Sequence, residues 1–296
     1  MNLLVTGCFK YTEEQLNLLK KYANVYYLKN ESDEITFDVS KIDVAIVNNL
    51  FLYHDVKKFT NLKVVQVTSA GLDRVPIDYF NTNNIKYFNA KDVYSIPMAE
   101  FVLSKILEIY KKSTFFYKNQ KNKIWCKNRE LIELSGKNAC IVGTGSVGLE
   151  IAKRLKAFDV KVSGVDIYIN KKDFIDEVYS VDDIKIALKK SDIVILTLPL
   201  TEKTKNMFNY DLLKSIQENS ILINVSRGAI INEFDLIKCI NEKHFMEVVL
   251  DVFEEEPLNK ESELWEKAII SPHNSFVSCK NNERLFNVII KNLFSN

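Results

Sequence analysis

The feature that most limits the possible folds is a regular alternation of apolar runs with helical patterns from residue 136 onward. The runs are apolar almost throughout, which is typical of strands buried on both faces by helices in a parallel sheet. The predicted strands are 138–142, 160–166, 192–198, 220–225, 247–250 and 268–271, and the predicted helices are 147–158, 182–190, 210–217 and 233–241. This part of the chain therefore predicts a doubly wound α/β domain.

The first hundred residues show a shorter alternation of the same kind and predict a second, smaller α/β unit. Its predicted strands are 3–6, 25–28, 44–48, 64–68 and 85–88, and its predicted helix is 13–22. An apolar-periodic helix over 97–112 follows, with Pro97 at its first position, where a missing backbone N–H costs nothing. We place the crossing between the two domains in this helix.

Composition excludes several classes of protein. The chain has 296 residues, of which 47% are hydrophobic, so it is long enough for two domains with cores of their own. Its net charge of +1 gives no overall electrostatic field that would attract nucleic acid or an anionic membrane. Five cysteines without a Cys-x-x-Cys pair argue against a disulfide framework and a zinc cluster. The segment 1–10 lacks a basic region followed by a long apolar run, and no stretch of the sequence approaches the roughly 20 apolar residues of a membrane span. We expect a cytoplasmic protein without a metal site.

Glycine is rare, and its positions are informative. Only eight glycines occur in 296 residues, and three of them, Gly143, Gly145 and Gly148, follow the predicted strand 138–142 directly. In a Gly-x-Gly-x-x-Gly turn the first glycine allows the tight turn, the second lets a pyrophosphate approach, and the third lets helix and strand pack closely. The pyrophosphate would lie on the helix N-terminus. The predicted dinucleotide-binding residues of this turn are Gly143, Thr144, Gly145, Ser146, Val147 and Gly148.

An acidic residue, Asp166, ends the next predicted strand. A carboxylate at this position accepts hydrogen bonds from the adenosine ribose and repels a 2′-phosphate, so it favours NAD over NADP. A turn-capping role is the alternative for Asp166. Lys171 and Lys172 follow, and we expect both to be solvated rather than to pair with a 2′-phosphate.

Three chemically active side chains follow predicted strands that are far apart in sequence. Arg227 lies in Asn-Val-Ser-Arg-Gly, Glu256 in Asp-Val-Phe-Glu-Glu-Glu-Pro, and His273 in Ser-Pro-His-Asn. Because ligands bind outside the carboxyl ends of strands in an open parallel sheet, we expect these side chains to converge.

These motifs together, in this order, resemble the D-isomer-specific 2-hydroxyacid dehydrogenase family. The resemblance covers nearly the whole chain and implies a Rossmann-type NAD-binding domain, 97–274, and a flavodoxin-like substrate-binding domain, 1–96 with 275–296. It implies an NAD-dependent oxidoreductase that interconverts a small 2-oxo acid and its D-2-hydroxy acid by hydride transfer to C2. The alternative is an NAD-sensing regulatory protein of the corepressor type on the same fold.

The resemblance also implies a role for each matched residue. Arg227 would bind the substrate carboxylate and carbonyl oxygen, His273 would be the acid/base, and Glu256 would pair with His273. Ala70 and Gly71 would bind the substrate carboxylate through backbone N–H groups. The residues implied at the cofactor, beyond the glycine turn and Asp166, are Ile167, Leu198, Pro199, Thr204, Val225, Ser226, Arg227, Asp251 and His273.

The chain departs from the family pattern next to the histidine, and some properties stay open. Relatives commonly have a small Gly or Ala two positions after the histidine, whereas this chain has Ser275, followed by the bulky Phe276, so the size of the substrate is not determined. The resemblance implies a homodimer, and the aromatic, basic segment 115–125 is a candidate contact, with an ordinary exposed helix end as the alternative. The identity of the 2-hydroxy acid and the physiological direction are not written in the sequence.

Overall fold

The computed structural model describes residues 1–294. They form two compact units, the first built from Met1–Tyr94 together with the chain from Ser278 onward, and the second from Ser95–Val277. The boundaries predicted from the sequence, after residue 96 and before residue 275, lie two and three residues from these.

The strands and helices are numbered along the chain. The strands are β1 (Asn2–Thr6), β2 (Asn24–Leu28), β3 (Val44–Val47), β4 (Val64–Val67), β5 (Lys86–Phe88), β6 (Asn138–Val142), β7 (Lys161–Val165), β8 (Glu177–Tyr179), β9 (Ile193–Leu196), β10 (Ile221–Asn224), β11 (Glu247–Leu250) and β12 (Ile269–Ile270). The helices are α1 (Glu13–Tyr22), α2 (Leu50–Tyr53), α3 (Ile77–Thr82), α4 (Ser95–Tyr110), α5 (Ser113–Lys121), α6 (Ser146–Lys156), α7 (Ile184–Leu188), α8 (Tyr210–Lys214), α9 (Glu233–Asn241), α10 (Leu264–Lys267) and α11 (Asn281–Phe294).

The first unit is built on a parallel sheet with the strand order β2-β1-β3-β4-β5. This is the flavodoxin-like order. Successive residues of β1 are buried in different layers, because Leu4 packs in one apolar cluster while Leu3 and Val5 pack in another. Leu285 and Ile289 of α11 belong to the second cluster, so the end of the chain completes the core of the first unit.

The second unit is built on a parallel sheet with the order β12-β11-β10-β9-β6-β7-β8. Its first six strands in chain order run 3-2-1-4-5-6 across the sheet, which is the Rossmann order. Residues of β6 alternate between two buried clusters, with Cys140 and Val142 in one and Ala139 and Ile141 in the other. Burial on both faces explains why the strands read as continuous apolar runs.

Several helices begin at side chains that satisfy the first free backbone N–H groups. Thr12 accepts a hydrogen bond from the N–H of Gln15, and the Gln15 side chain accepts one from the N–H of Thr12, which is a capping box. At α8 and α9 only the cap side chain takes part, since Asn209 and Asn232 accept from the N–H groups of Leu212 and Asp235. Among residues 1–294, none of the helices combines the length and the apolar character needed to cross a membrane.

The structure differs from the sequence prediction at the start of α4. The helix begins at Ser95, two residues before the predicted start, and Pro97 lies inside its first turn. Pro97 is tolerated there because the first four N–H groups of a helix have no partner within the helix. The short elements β8, α2, α3, α5 and α10 and the final helix α11 were not predicted.

Candidate active site and dinucleotide site

The glycine turn joins β6 to α6 and leaves room where a ligand would approach. A Cβ added to Gly148 would lie 2.3 Å from the carbonyl oxygen of Gly143, so the third glycine is required by packing. A Cβ added to Gly145 would have no protein atom within 4 Å. Gly145 therefore faces open space at the N-terminus of α6, which fits the close approach of a pyrophosphate.

Asp166 follows β7 and is bound to the middle of the glycine turn. Its Oδ2 accepts hydrogen bonds from the N–H and the hydroxyl of Thr144, at 2.9 and 2.5 Å, and from Lys172 Nζ at 2.9 Å. Partial burial raises the pKa of Asp166, but the hydrogen bonds from Thr144 and Lys172 outweigh it and lower the pKa to about 2. Asp166 is therefore anionic at neutral pH.

The two lysines after Asp166 differ from each other. Lys171 is exposed, as expected. Lys172 is not solvated, which corrects the sequence-based expectation, because its side chain is 14% exposed and bound to Asp166. The contact was missed because it closes an irregular connection whose shape the sequence pattern does not give.

The other residues implied at the cofactor occupy the carboxyl ends of β7, β9 and β10. Ile167 is 74% exposed directly after Asp166. Thr204 closes the turn after β9, since its hydroxyl donates to the carbonyl of Pro199 at 2.7 Å. Leu198 packs against the core, whereas Val225 and Ser226 are buried.

Arg227 is positioned by the side chain of Asn224, the last residue of β10. Asn224 Oδ1 accepts from the N–H and the hydroxyl of Ser226, at 3.0 and 2.6 Å, and Asn224 Nδ2 donates to the carbonyl of Arg227 at 3.0 Å. Arg227 Nη1 donates to the carbonyl of Ser226 at 2.8 Å. This turn places the Arg227 guanidinium at the carboxyl end of β10, in the sheet of the second unit.

Gly228 lets this turn pack directly against the loop that carries Glu256. A Cβ added to Gly228 would lie 1.8 Å from the carbonyl carbon of Phe253. The sequence motif Asn-x-Ser-Arg-Gly thus requires its glycine because the loops after β10 and β11 touch here, which fixes their relative position.

Glu256 and His273 form a direct pair. His273 Nδ1 donates to Glu256 Oε2 at 2.8 Å, and Glu256 Oε1 accepts from the N–H of Phe253 at 3.2 Å. The two side chains are 29% and 34% exposed, so the pair is reached by solvent. Because Nδ1 is bound to the carboxylate, Nε2 is the ring nitrogen that could exchange a proton with another group.

Asp251 organises the turn that carries His273. It is fully buried, and its carboxylate accepts from Ser271 Oγ at 2.6 Å and from the N–H groups of Asn274 and Ser275 at 2.8 and 3.0 Å. The N–H of His273 donates to the Asp251 carbonyl at 2.8 Å, and His273 has a positive φ of 50°. Asp251 thus holds a turn in which the histidine backbone adopts an uncommon conformation.

The predicted substrate loop lies in the first unit, after β4. The carbonyls of Thr68, Ala70 and Gly71 accept from Tyr94 Oη, Asn89 Nδ2 and Ser69 Oγ, at 2.5, 2.7 and 2.8 Å. In residues 1–294, neither the N–H of Ala70 nor that of Gly71 donates to an oxygen of the chain. The N–H of Gly71 shares its peptide plane with the bound carbonyl of Ala70, and the N–H of Ala70 shares one with the carbonyl of Ser69, which accepts from the N–H of Ala90 at 2.9 Å. Both N–H groups are therefore oriented by bound carbonyls and could donate to an anion.

Glu31 is a buried carboxylate of the first unit that the sequence did not indicate. It accepts from Thr6 Oγ1 at 2.8 Å and from the N–H groups of Asn48 and Asn49 at 2.6 and 2.5 Å. It thereby fixes the ends of β1 and β3, next to each other in the sheet. The only sequence signal for Glu31 is its position shortly after a predicted strand. Many solvated acidic residues have the same position.

The site combines the glycine turn, the arginine Arg227 and the Glu256–His273 pair, which all lie at the carboxyl ends of strands in the sheet of the second unit. Among the described residues no group of three or more histidine, cysteine or acidic side chains is arranged to hold a metal ion. The groups present are suited to anion binding and proton transfer.

Comparison with known proteins relates the second unit to a defined family. Residues 103–275 match the family model described as D-isomer specific 2-hydroxyacid dehydrogenase, NAD binding domain. The chain is 30% identical to a glyoxylate reductase of Thermofilum pendens over 244 residues, which are 79% of this chain and 72% of that protein. It is 30% identical to a D-3-phosphoglycerate dehydrogenase of Methanocaldococcus jannaschii over 83% of this chain and 48% of that protein, so it spans about half the length of this relative.

The whole fold also matches solved structures. A D-isomer specific 2-hydroxyacid dehydrogenase family protein of Aeromonas salmonicida is 27% identical, with a TM-score of 0.84 over 98% of this chain and 94% of that chain. Both sheets of the present chain therefore have counterparts in one known architecture.

Proposed function

The chain belongs to the D-isomer-specific 2-hydroxyacid dehydrogenase family, and we propose that it uses a nicotinamide cofactor to interconvert a small 2-oxo acid and its D-2-hydroxy acid. The observation that carries this proposal is the Glu256–His273 pair on the same sheet edge as Arg227 and the glycine turn. The similar proteins are named as reductases and dehydrogenases, which favours catalysis over the regulatory alternative.

The residues divide the chemical work between them. The guanidinium of Arg227 is planar and charged, and it suits bidentate binding of the substrate carboxylate. His273 Nε2 donates a proton to the carbonyl oxygen in reduction and accepts it from the hydroxyl in oxidation. Glu256 holds the ring through Nδ1 and so fixes which nitrogen carries the exchanging proton. The nicotinamide, when bound, supplies or accepts the hydride.

NAD(H) is the proposed cofactor, and the anionic Asp166 supports it. A carboxylate at the end of this strand accepts hydrogen bonds from the free ribose hydroxyls that NAD(H) presents. In the first unit, the N–H groups of Ala70 and Gly71 keep the proposed role of binding the substrate carboxylate.

Steady-state assays test the activity. Purified protein is mixed with NADH and a panel of 2-oxo acids that includes glyoxylate, hydroxypyruvate and pyruvate, and turnover of at least one is expected. Absence of turnover with every compound, in folded protein that binds NADH, would overturn the proposal.

The acid/base role is tested by replacing His273 with Ala. We expect kcat to fall by about 100- to 10,000-fold while the Kd for NADH stays within about threefold. Asn274→Ala is the matched control, because its side chain is exposed and its backbone contact to Asp251 is kept. Equal activity of the His273 variant and wild type would exclude the role.

We also propose a homodimer that uses segment 115–125 and a cytoplasmic location. Trp125 is 98% exposed and Ile124 53% exposed, an apolar surface that a second copy of the chain would cover. The five cysteines are unlinked, which agrees with a reducing compartment.

A further inference from the structure

The contact between Lys172 and Asp166 places a cation beside the carboxylate that selects the cofactor. Lys172 Nζ lies 2.9 Å from Asp166 Oδ2, and both side chains are 14% exposed. The same ammonium donates to the hydroxyl of Thr144 and lies 3.4 Å from the Thr144 carbonyl. Lys172 is therefore bound to the glycine turn and is not a solvated side chain beside it.

The two oxygens of Asp166 are used differently. Oδ2 accepts three hydrogen bonds, from the N–H and hydroxyl of Thr144 and from Lys172. Oδ1 accepts one, from the N–H of Tyr168 at 3.1 Å. A carboxylate offers about four acceptor positions over its two oxygens, so Oδ1 retains capacity for a ribose hydroxyl.

The charge at this position is also altered. A lone carboxylate repels a 2′-phosphate, whereas a carboxylate in contact with an ammonium belongs to a pair whose net charge is zero, which opposes much of that repulsion. Lysine is a flexible point charge on a long stem, so it can turn from the Thr144 oxygens toward a phosphate placed beside the ribose. The pair thus reduces the repulsion on which selection of NAD depends.

We propose that Lys172 determines cofactor specificity in this chain. Its positive charge offsets the negative charge of Asp166, so the site accepts a nucleotide with a 2′-phosphate in addition to one with free ribose hydroxyls. The proposal rests on the proposed function, because it requires the adenosine of the cofactor to lie at Asp166. The alternative role is a structural clamp between the glycine turn and the connection from β7 to β8.

Binding of two cofactor fragments separates these roles without any catalysis. Isothermal titration calorimetry is performed with adenosine 2′,5′-bisphosphate and with adenosine 5′-diphosphate on wild type, Lys172→Met, Lys172→Arg and Lys171→Met. Lys171 is the matched control, since it is the adjacent, exposed lysine. Thermal unfolding of each variant verifies that it is folded.

We expect wild type to bind both fragments. Lys172→Met should weaken the 2′-phosphorylated fragment by about tenfold or more and the other by less than about threefold, the size expected for loss of one close charge. Lys172→Arg should retain both affinities, and Lys171→Met should leave both unchanged. The ratio of the Kd values for NADPH and NADH should follow the fragments.

Other outcomes are equally definite. Equal weakening of both fragments in folded Lys172→Met would show a clamp and overturn the specificity role. Wild type that binds adenosine 5′-diphosphate but not the 2′-phosphorylated fragment would overturn the inference and leave the proposed function intact. Folded wild type that binds neither fragment nor NADH would overturn the proposed function itself.

Discussion

The charge of Asp166 contributes to the stability of the fold in a way that depends on pH. Its pKa, about 2, lies below the value of about 3.9 for an unfolded chain. A lowered pKa stabilises the fold at pH values above about 4, and this contribution is lost as the pH falls toward 2. The sign follows from proton binding, because the unfolded state takes up the proton first.

Replacement of Asp166 by Asn should therefore destabilise the protein in a pH-dependent way. In urea unfolding without cofactor, we expect a loss of about 2 kcal/mol at pH 7 and about half of that at pH 3. Asp173→Asn, an exposed carboxylate on the same connection, is the control and should have little effect at either pH. A loss for Asp166→Asn that does not change between these pH values would contradict the electrostatic explanation.

Single residues also show how far the site could be predicted. Glu256 and His273 were predicted to pair, and the structure places them in contact, because both follow neighbouring parallel strands whose order the alternation of strands and helices implies. Lys172 and Glu31 were not predicted to be in contact with anything. Their contacts depend on loop conformations, for which a single sequence carries no periodic signal. The functional roles of the site residues stay predictions.

The strand, turn and helix formed by β6, the glycine turn and α6 permit a test that separates ligand binding from folding. Gly145 has a φ of −74°, which alanine adopts freely, and open space where a Cβ would lie. Gly145→Ala should not lower the free energy of unfolding and should raise it by up to about 1 kcal/mol, because alanine restricts the unfolded chain. It should weaken NADH binding by about tenfold or more, because the methyl group would occupy the place proposed for the pyrophosphate.

Gly148→Ala is the matched comparison within the same turn. Its Cβ would lie 2.3 Å from a backbone oxygen, so either the turn or the helix must move. We expect a loss of about 1–3 kcal/mol in unfolding free energy. Urea unfolding and NADH titration of both variants provide the measurements, and equal stability loss in the two would contradict this division of roles.

The elements themselves were predictable to different degrees. Apolar strands such as β6 and β11 were predicted with their observed bounds, because burial on both faces leaves a continuous pattern. The strand β8 was missed, because its valine and tyrosine follow Asp176 and Glu177 and form no apolar run. Short helices such as α2 and α10 were missed for a similar reason, since each has a single turn.

At the scale of the whole chain, the family and the α/β fold class predicted from the ordered motifs are confirmed. The two sheets have different strand orders, and each order matches a known architecture. Repeated elements and motif order are properties of the entire sequence, which explains why they were predictable. The association of two chains depends on surface shape, so it remains a proposal.

The proposed dimer has a direct test in Trp125. An almost fully exposed tryptophan with a neighbouring exposed isoleucine is an unfavourable surface for an isolated chain, and buried aromatic residues dominate the binding energy of interfaces. Wild type should have the mass of a dimer in light scattering after gel filtration. Trp125→Ala should raise the dimer Kd by about 30-fold or more, since loss of a central aromatic costs about 2 kcal/mol or more.

The other tryptophan, Trp265, provides the control for Trp125. It lies in α10 and is 51% exposed, and its Nε1 donates to the carbonyl of Asn259, which precedes this helix, at 2.9 Å. Because this contact satisfies the indole inside one chain, Trp265→Ala should leave the dimer intact. A wild type that is monomeric at micromolar concentration, or a dimer that both variants preserve, would show that segment 115–125 is not the interface.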